Sequence, residues 1–199
     1  MIRWIIGGLL GGVVVFFAAF INHMVFEFGD RRIGRLQRED DVQEFFVRQK
    51  LTPGFYHLPQ RSEDYKRLSP EKQKEQDARL NEAFREGPAV TIVVRPTGGD
   101  MMSPKVLGTE FGSNVAAALL AALVASQIAG GFVARWFTVL LMGIFAWASI
   151  DASYYIWDGF PLPFVLDQLL MAAIEWGAAG LVIAAVVRPP KPVETLTPA

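Results

Sequence analysis

The sequence predicts an all-α membrane protein, a four-transmembrane-helix bundle with a small α+β extramembrane insertion between helices 1 and 2. Hydrophobic residues make up 52% of the 199 residues, which is more than an ordinary soluble domain contains. The excess lies in four mostly apolar stretches, each with the roughly 20 residues that a hydrocarbon core about 30 Å thick requires. The four stretches are Trp4–Phe26, Phe111–Ala134, Trp136–Trp157 and Phe164–Val187.

The first stretch follows Arg3, as the apolar region of a secretory signal follows a basic residue. The apolar region of a signal is usually about 7–15 residues long, and no convincing A-x-A cleavage pattern follows this longer one. We therefore expect a retained anchor helix, with a cleaved signal as the alternative. The predicted organisation is transmembrane helix 1 within 1–28, an extramembrane α+β segment at 29–103, and helices 2–4 with a short polar C-terminal tail in 104–199.

Turn and cap residues divide the extramembrane segment into short elements. So small a layer is marginal as an independent core. We expect it to be stabilised by packing against the bundle or against a partner. A cap at Ser103-Pro104 predicts that the next helix begins there and runs on through Ala134. The other predicted elements are a helix over Asp40–Arg48, paired strands over Phe55–Leu58 and Ala89–Val94, and a helix from the Ser69 cap to about Glu86.

Charge is concentrated between Glu27 and Glu110, which contain fifteen of the 19 Lys and Arg and fifteen of the 20 Asp and Glu. This balanced segment lacks the basic excess that nucleic-acid binding requires, so no nucleic-acid partner is predicted. The chain has no cysteine, which excludes disulfides, thiolate catalysis and cysteine-ligated metals.

Orientation follows from Lys and Arg in short loops near helix ends. The turn at 158–163 carries neither residue, so we expect it in the periplasm with the segment 29–103, and both termini in the cytoplasm. The arginines at 31–38 favour the opposite orientation, but loops longer than about 60 residues cross largely regardless of charge. Their acidic neighbours, at 30 and 39–41, predict local ion pairs. The cytoplasmic basic residues are then Arg3, Arg135, Arg188 and Lys191.

Ionisable side chains within the apolar stretches form the candidate intramembrane polar site. Glu175 lies near the middle of the last stretch, where a charge costs roughly 2.5–3.5 kcal/mol on insertion scales. Asp167 precedes it on the same helical face, Asp151 lies in the third stretch, and His23 lies at the outer end of the first. A line of such residues is typical of a proton or ion entry path. The alternative is a protonated Glu175 that is hydrogen-bonded to another helix.

His23, Asp151 and Asp167 also have the chemistry to hold a divalent ion. The sequence has no HExxH pattern, and His57 is the only other histidine. No metal site, cofactor or catalytic residue is therefore predicted.

Glycines on the first helix predict close helix packing. Gly7, Gly8, Gly11 and Gly12 form two overlapping small-xxx-small pairs, and glycine lets helices approach closely in lipid. We expect these helix-packing residues to face other helices of the same chain. A homodimer face is the alternative.

Several motifs follow one another along nearly the whole chain. They are Asn22-His23-Met24 after a Gly-rich helix, Gly54-Phe55-Tyr56, the loop 96–104 leading into Leu107-Gly108-Thr109-Glu110-Phe111, and the turn Gly159-Phe160-Pro161. This order resembles an uncharacterised family of small bacterial four-helix inner-membrane proteins with an extramembrane insertion after the first helix. The resemblance implies a bacterial inner-membrane location and implies no activity.

These observations predict an integral membrane protein that is a non-catalytic accessory or scaffold subunit bound to another membrane component. Its expected partners are the lipid bilayer and either a membrane protein or a second copy of the chain. The alternative is a small proton- or ion-coupled transport protein that uses the intramembrane carboxylate Glu175. An enzyme is not predicted, because no nucleophile–base pair is recognisable.

Overall fold

The computed structural model describes residues 2–95 and 99–188, so the loop residues 96–98 and the predicted polar tail at 189–199 lie outside the described residues. Most of the described chain is helical, and its only sheet has two strands. The helices are α1 (Ile2–Met24), α2 (Glu39–Gln49), α3 (Pro70–Glu86), α4 (Pro104–Ala125), α5 (Phe132–Trp157) and α6 (Leu162–Val186); the strands are β1 (Gly54–Leu58) and β2 (Val90–Val94).

Four of these helices, α1, α4, α5 and α6, are long and apolar enough to cross a membrane. They correspond to the four apolar stretches, so the predicted number of membrane-length helices is confirmed. A short 3₁₀ helix at Tyr65–Arg67 precedes α3 and was not predicted.

The second membrane-length helix, α4, begins at the predicted cap, ahead of the apolar stretch 111–134, and ends before the predicted limit at Ala134. The helix begins at Pro104, where the Ser103 hydroxyl accepts a hydrogen bond from the Val106 N–H at 3.3 Å, as the cap signature predicted. It ends at Ala125 rather than continuing through Ala134, and a turn with the glycine pair at 130–131 separates it from α5. Helix α5 starts at Phe132, four residues before the predicted limit of 136.

The chain divides into two compact units, and the division differs from the predicted limits of 29 and 103. The described residues 2–34 and 100–188 form the helical unit, whereas those of 35–95 and 99 form the α+β unit. The residues between 29 and 34 belong to the helical unit because Arg31 and Arg32 form ion pairs with Asp167 of α6.

The glycines of α1 mark its closest contacts inside the helical unit, in which α1 packs on α4 and α6 and α5 packs on α6. A Cβ added at Gly12 would lie 2.5 Å from the Val115 Cα, and one at Gly8 would lie 2.7 Å from the Leu119 Cα. A Cβ at Gly11 would meet the Ile183 side chain at 2.8 Å. The three glycines therefore face α4 and α6 of the same chain, not an open surface.

Small and aliphatic side chains fill the centre of this unit. Val15, Val139 and Ile183 are buried among four alanines of α4 and one of α6. Interiors of this kind let helix backbones approach closely, which favours dispersion contacts in lipid. At the end where α6 finishes, the Arg135 guanidinium donates to the Gly130 carbonyl at 2.7 Å and to the Ala184 carbonyl at 3.3 Å.

The α+β unit contains α2, α3 and a two-stranded sheet. Strands β1 and β2 are antiparallel, with Gly54 opposite Val94 and Leu58 opposite Val90, which confirms the predicted pairing. Helix α3 begins and ends as predicted, after Ser69 and before Gly87. None of the described residues of this unit is buried.

Candidate functional site

A cavity of about 260 Å³ lies within the helical unit, and all four membrane-length helices contribute to its wall. Each helix supplies one titratable side chain: His23 from α1, Glu110 from α4, Asp151 from α5 and Glu175 from α6. Three of the four residues predicted for the intramembrane polar site therefore line one cavity. No Lys or Arg side chain belongs to its described lining.

Glu175 is held by an amide from the first helix. The Asn22 Nδ2 donates to the Glu175 Oε1 at 2.9 Å. Asn22 is fully buried, and its Oδ1 has no hydrogen-bond partner within the described parts of the chain. An amide offers a donor on one side and an acceptor on the other. Asn22 can thus donate to an ionised Glu175 or, after a rotation of the amide, accept from a protonated one.

Glu110 is a site residue that the sequence analysis missed. Its carboxylate accepts a hydrogen bond from the Asn114 Nδ2 at 3.1 Å, and it lines the same cavity as Glu175. The predicted apolar stretch began one residue later, at Phe111, because Glu110 is charged and an apolar stretch is taken to begin after the last charged residue. The cap at Ser103 was the available signal, since a helix that starts there places Glu110 and Asn114 one turn apart on one face.

Asp167 does not line the cavity, although the helical spacing predicted that it would share a face with Glu175. Its carboxylate accepts hydrogen bonds from the Arg31 Nε at 2.8 Å and the Arg32 Nε at 2.9 Å, and the Arg31 Nη2 makes a further contact. The hydrogen bonds that Arg31 donates to Asp167 raise the pKa of the Arg31 guanidinium. The neighbouring Gln168 lines the cavity in its place.

These ion pairs also correct the prediction that the arginines at 31–38 pair with their acidic neighbours. Arg38 does pair locally, with Asp41. Arg31 and Arg32 instead reach a carboxylate more than 130 residues away in sequence. The side chain of Asp167 is only 8% exposed, so the arginines neutralise a largely buried charge.

The metal alternative required His23, Asp151 and Asp167 to meet. Within residues 2–95 and 99–188, no three His, Asp or Glu side chains are grouped closely enough to hold a metal ion. Asp167 is bound by two arginines away from the cavity, and this separation rules out that particular set.

Two tryptophans complete the cavity wall. The Trp147 Nε1 donates to the Val165 carbonyl at 2.8 Å, which ties α5 to α6. Trp176 lies against Gly143, where an added Cβ would overlap the indole. Both tryptophans are lining residues of the cavity.

Scans of the chain against protein-family models, curated proteins and solved structures find no match. The geometry of the cavity therefore carries the functional proposal by itself.

Proposed function

We propose that this chain is a multi-pass protein of the bacterial inner membrane that binds a proton or a small cation at Glu175 and couples that binding to transport. The observation that carries the proposal is the meeting of four titratable side chains, one from each membrane-length helix, in one cavity. Ionisable groups at membrane depth are costly and usually mark substrate or ion pathways.

The charge of the cavity wall determines the sign of its ligand. Glu110, Asp151 and Glu175 supply three carboxylates, against which His23 is the single basic group of the described lining. A concave site with this balance attracts cations and repels anions. Towards the end of α6 the helices meet through Gly11, Ile183 and other tightly packed side chains. Movement of a cation through that half requires a change in helix packing.

The proposed orientation places both termini in the cytoplasm and residues 29–103 in the periplasm. Arg3, Arg135 and Arg188 lie at the start of α1, the start of α5 and the end of α6, whereas Lys191 lies outside the described residues. The hydrogen bond from Arg135 to the Ala184 carbonyl shows that the start of α5 lies beside the end of α6. The basic residues at these two ends therefore lie on the same side of the bundle. Arg31 and Arg32 weigh less against this orientation because they belong to a segment longer than about 60 residues, and such segments cross largely regardless of charge.

The test uses the full chain in liposomes loaded with a pH-sensitive dye. We expect an imposed gradient to drive cation-dependent proton flux, and Glu175→Gln to reduce its rate at least tenfold. Glu175→Asp keeps the charge and should retain part of the flux, whereas Glu82→Gln, on the exposed face of α3, should leave it unchanged. Equal flux in the wild type and in Glu175→Gln would refute the proposal.

A second candidate function, the non-catalytic accessory or scaffold subunit, is favoured by the α+β unit. This unit has no buried residue among those described, yet it carries a groove of about 570 Å³. A layer without a core gains stability when a partner covers its apolar side chains. The groove is lined largely by Leu36, Val42, Phe46, Val47, Leu51 and Val94.

The accessory role predicts a defined companion that co-purifies with the chain in mild detergent. We expect Phe46→Asp to release that companion, because it places a charge in the apolar groove. Glu44→Gln, on the same helix but outside the groove lining, is the matched control. Recovery of the chain alone, without any companion, would count against this second function.

A further inference from the structure

We propose that the groove of the α+β unit is an interface between two copies of this chain, in which the two α2 helices pack antiparallel about a two-fold axis. This inference does not depend on cation binding at Glu175. It rests on the second candidate function and names the partner that covers the groove. The observation that carries it is the order of charged and apolar side chains along one face of α2.

The groove exposes one face of α2. Six lining residues recur along the chain at intervals of three, one, three, one and three positions, which places them on one side of the helix. They are Glu39, Val42, Gln43, Phe46, Val47 and the first residue after the helix, Lys50. The Val47 side chain is 70% exposed, so this face is largely uncovered. An exposed apolar patch with a polar rim is typical of a surface that binds another protein.

The two ends of this face carry opposite charges. Glu39 lies at the start of α2, and Lys50 directly follows its end. At 1.5 Å per residue the two positions are about 16 Å apart along the helix axis, too far for an ion pair within one copy. Neither residue has another ion-pair partner in the described chain, whereas Glu44, outside the groove lining, pairs with Arg48. Both groove charges are therefore available to a partner.

The face is complementary to itself when a second copy runs in the opposite direction. A two-fold axis at the midpoint of α2 brings Glu39 of each copy level with Lys50 of the other. The lining positions are symmetric about that midpoint, because 39 and 50, 42 and 47, and 43 and 46 are equally far from it. Val42, Phe46 and Val47 of both copies then lie between the two ion pairs. A two-fold interface uses the same patch on both subunits, and this symmetry favours a second copy over an unrelated partner.

The rest of the lining extends the contact beyond the helix pair. Leu36 and Leu51 come from the chain on either side of α2, and Val94 comes from β2. A face built from one helix of 11 residues and three neighbours gives a small interface, in the class below about 1,200 Å² that is typical of weak pairing. The charges at both ends then mainly fix the register. We therefore expect a reversible dimer that weakens as ionic strength rises.

The experiment measures Förster energy transfer between full chains that carry donor or acceptor dyes at C-terminal tags, in liposomes at a series of protein-to-lipid ratios. We expect concentration-dependent transfer in the wild type. Glu39→Lys and Lys50→Glu should each weaken self-association at least tenfold, because each variant brings like charges together at both ends. A mixture of the two variants should restore transfer, because opposite charges meet again at both ends. Restoration would also show that both variants are folded.

Glu44→Lys is the matched control, because it makes the same charge reversal on α2 outside the groove lining. It should associate as the wild type does. Wild-type transfer no greater than random proximity in the bilayer produces, or a mixture as weak as the single variants, would overturn the inference. If the chain stays monomeric while Phe46→Asp still releases a different protein, the partner is wrong and the accessory role stands. If Phe46→Asp changes neither self-association nor any co-purifying protein, the accessory role fails as well.

Discussion

Asn22, near the end of α1, donates a 2.9 Å hydrogen bond to Glu175, near the middle of α6, and the two residues are 153 positions apart. The bond joins the first membrane-length helix to the last, and its acceptor, Glu175, lines the cavity. It gives the carboxylate a fixed position, as the proposed binding role requires.

Asn22→Leu should destabilise the fold because it leaves the Glu175 carboxylate without its donor. Interhelical hydrogen bonds in membranes contribute about 0.6–2 kcal/mol, and we expect a loss in that range when unfolding is followed in mixed detergent micelles. In the double variant Asn22→Leu with Glu175→Met, both polar groups are removed. The double variant should lose less stability than the sum of the single changes, and strict additivity would contradict the coupling.

Gly12→Ala should separate α1 from α4, because the new Cβ would lie 2.5 Å from the Val115 Cα. Overpacking of this kind usually costs about 1–3 kcal/mol. Gly112→Ala, on α4, is the matched control because nothing lies within 4 Å of its added Cβ. Thermal unfolding in detergent should show a lower midpoint for the first variant alone. Equal midpoints would show that the helices adjust at no cost.

Asp167→Asn should free the segment between α1 and the α+β unit. Arg31 and Arg32 both bind this carboxylate, so its loss leaves the residues at 25–34 without their main polar attachment to α6. Hydrogen exchange followed by mass spectrometry should increase there and not in α5. Arg48→Gln is the control, since its pair with Glu44 is exposed and 3.8 Å long, and such pairs contribute little. Unchanged exchange at 25–34 would refute the role of Asp167.

Acid should loosen the contact between the 3₁₀ helix and α3. The Tyr65 hydroxyl donates to Asp77 at 2.7 Å and the Arg61 Nε does so at 2.8 Å. These bonds, that of Tyr65 first, lower the pKa of Asp77 below its ordinary value of 3.8. The folded state therefore binds fewer protons, so this stabilisation is present above that value and is lost as pH falls through the lower folded pKa.

After correction for the intrinsic exchange rate at each pH, the protection of the amides around Asp77 in the full chain should fall below about pH 4, the ordinary range of an Asp side chain. Asp77→Asn should show faster exchange at neutral pH and a weaker response to acid. An Asp77→Asn variant with an acid response equal to that of the wild type would place the titrating group elsewhere.

The sequence by itself determined the number of membrane-length helices, the two strands and the starts of α3 and α4. Each depends on a local property: hydropathy over about 20 residues, β-branched composition or a Ser-Pro cap. Hydropathy failed to predict the turn at 126–131, because Ile128, Ala129 and the glycines there are apolar like the helices on either side. An apolar composition indicates that a segment prefers lipid to water. It does not indicate whether the segment is one continuous helix.

Only the tertiary structure decided which ionisable residues meet. Asp167 and Glu175 share a helical face by spacing, yet Arg31 and Arg32 bind the first and Asn22 binds the second. Glu110, which the sequence placed outside the apolar stretch, lines the cavity. These outcomes depend on how α1, α4, α5 and α6 rotate and cross. Side chains far apart in the chain set those angles through packing, which no local pattern contains.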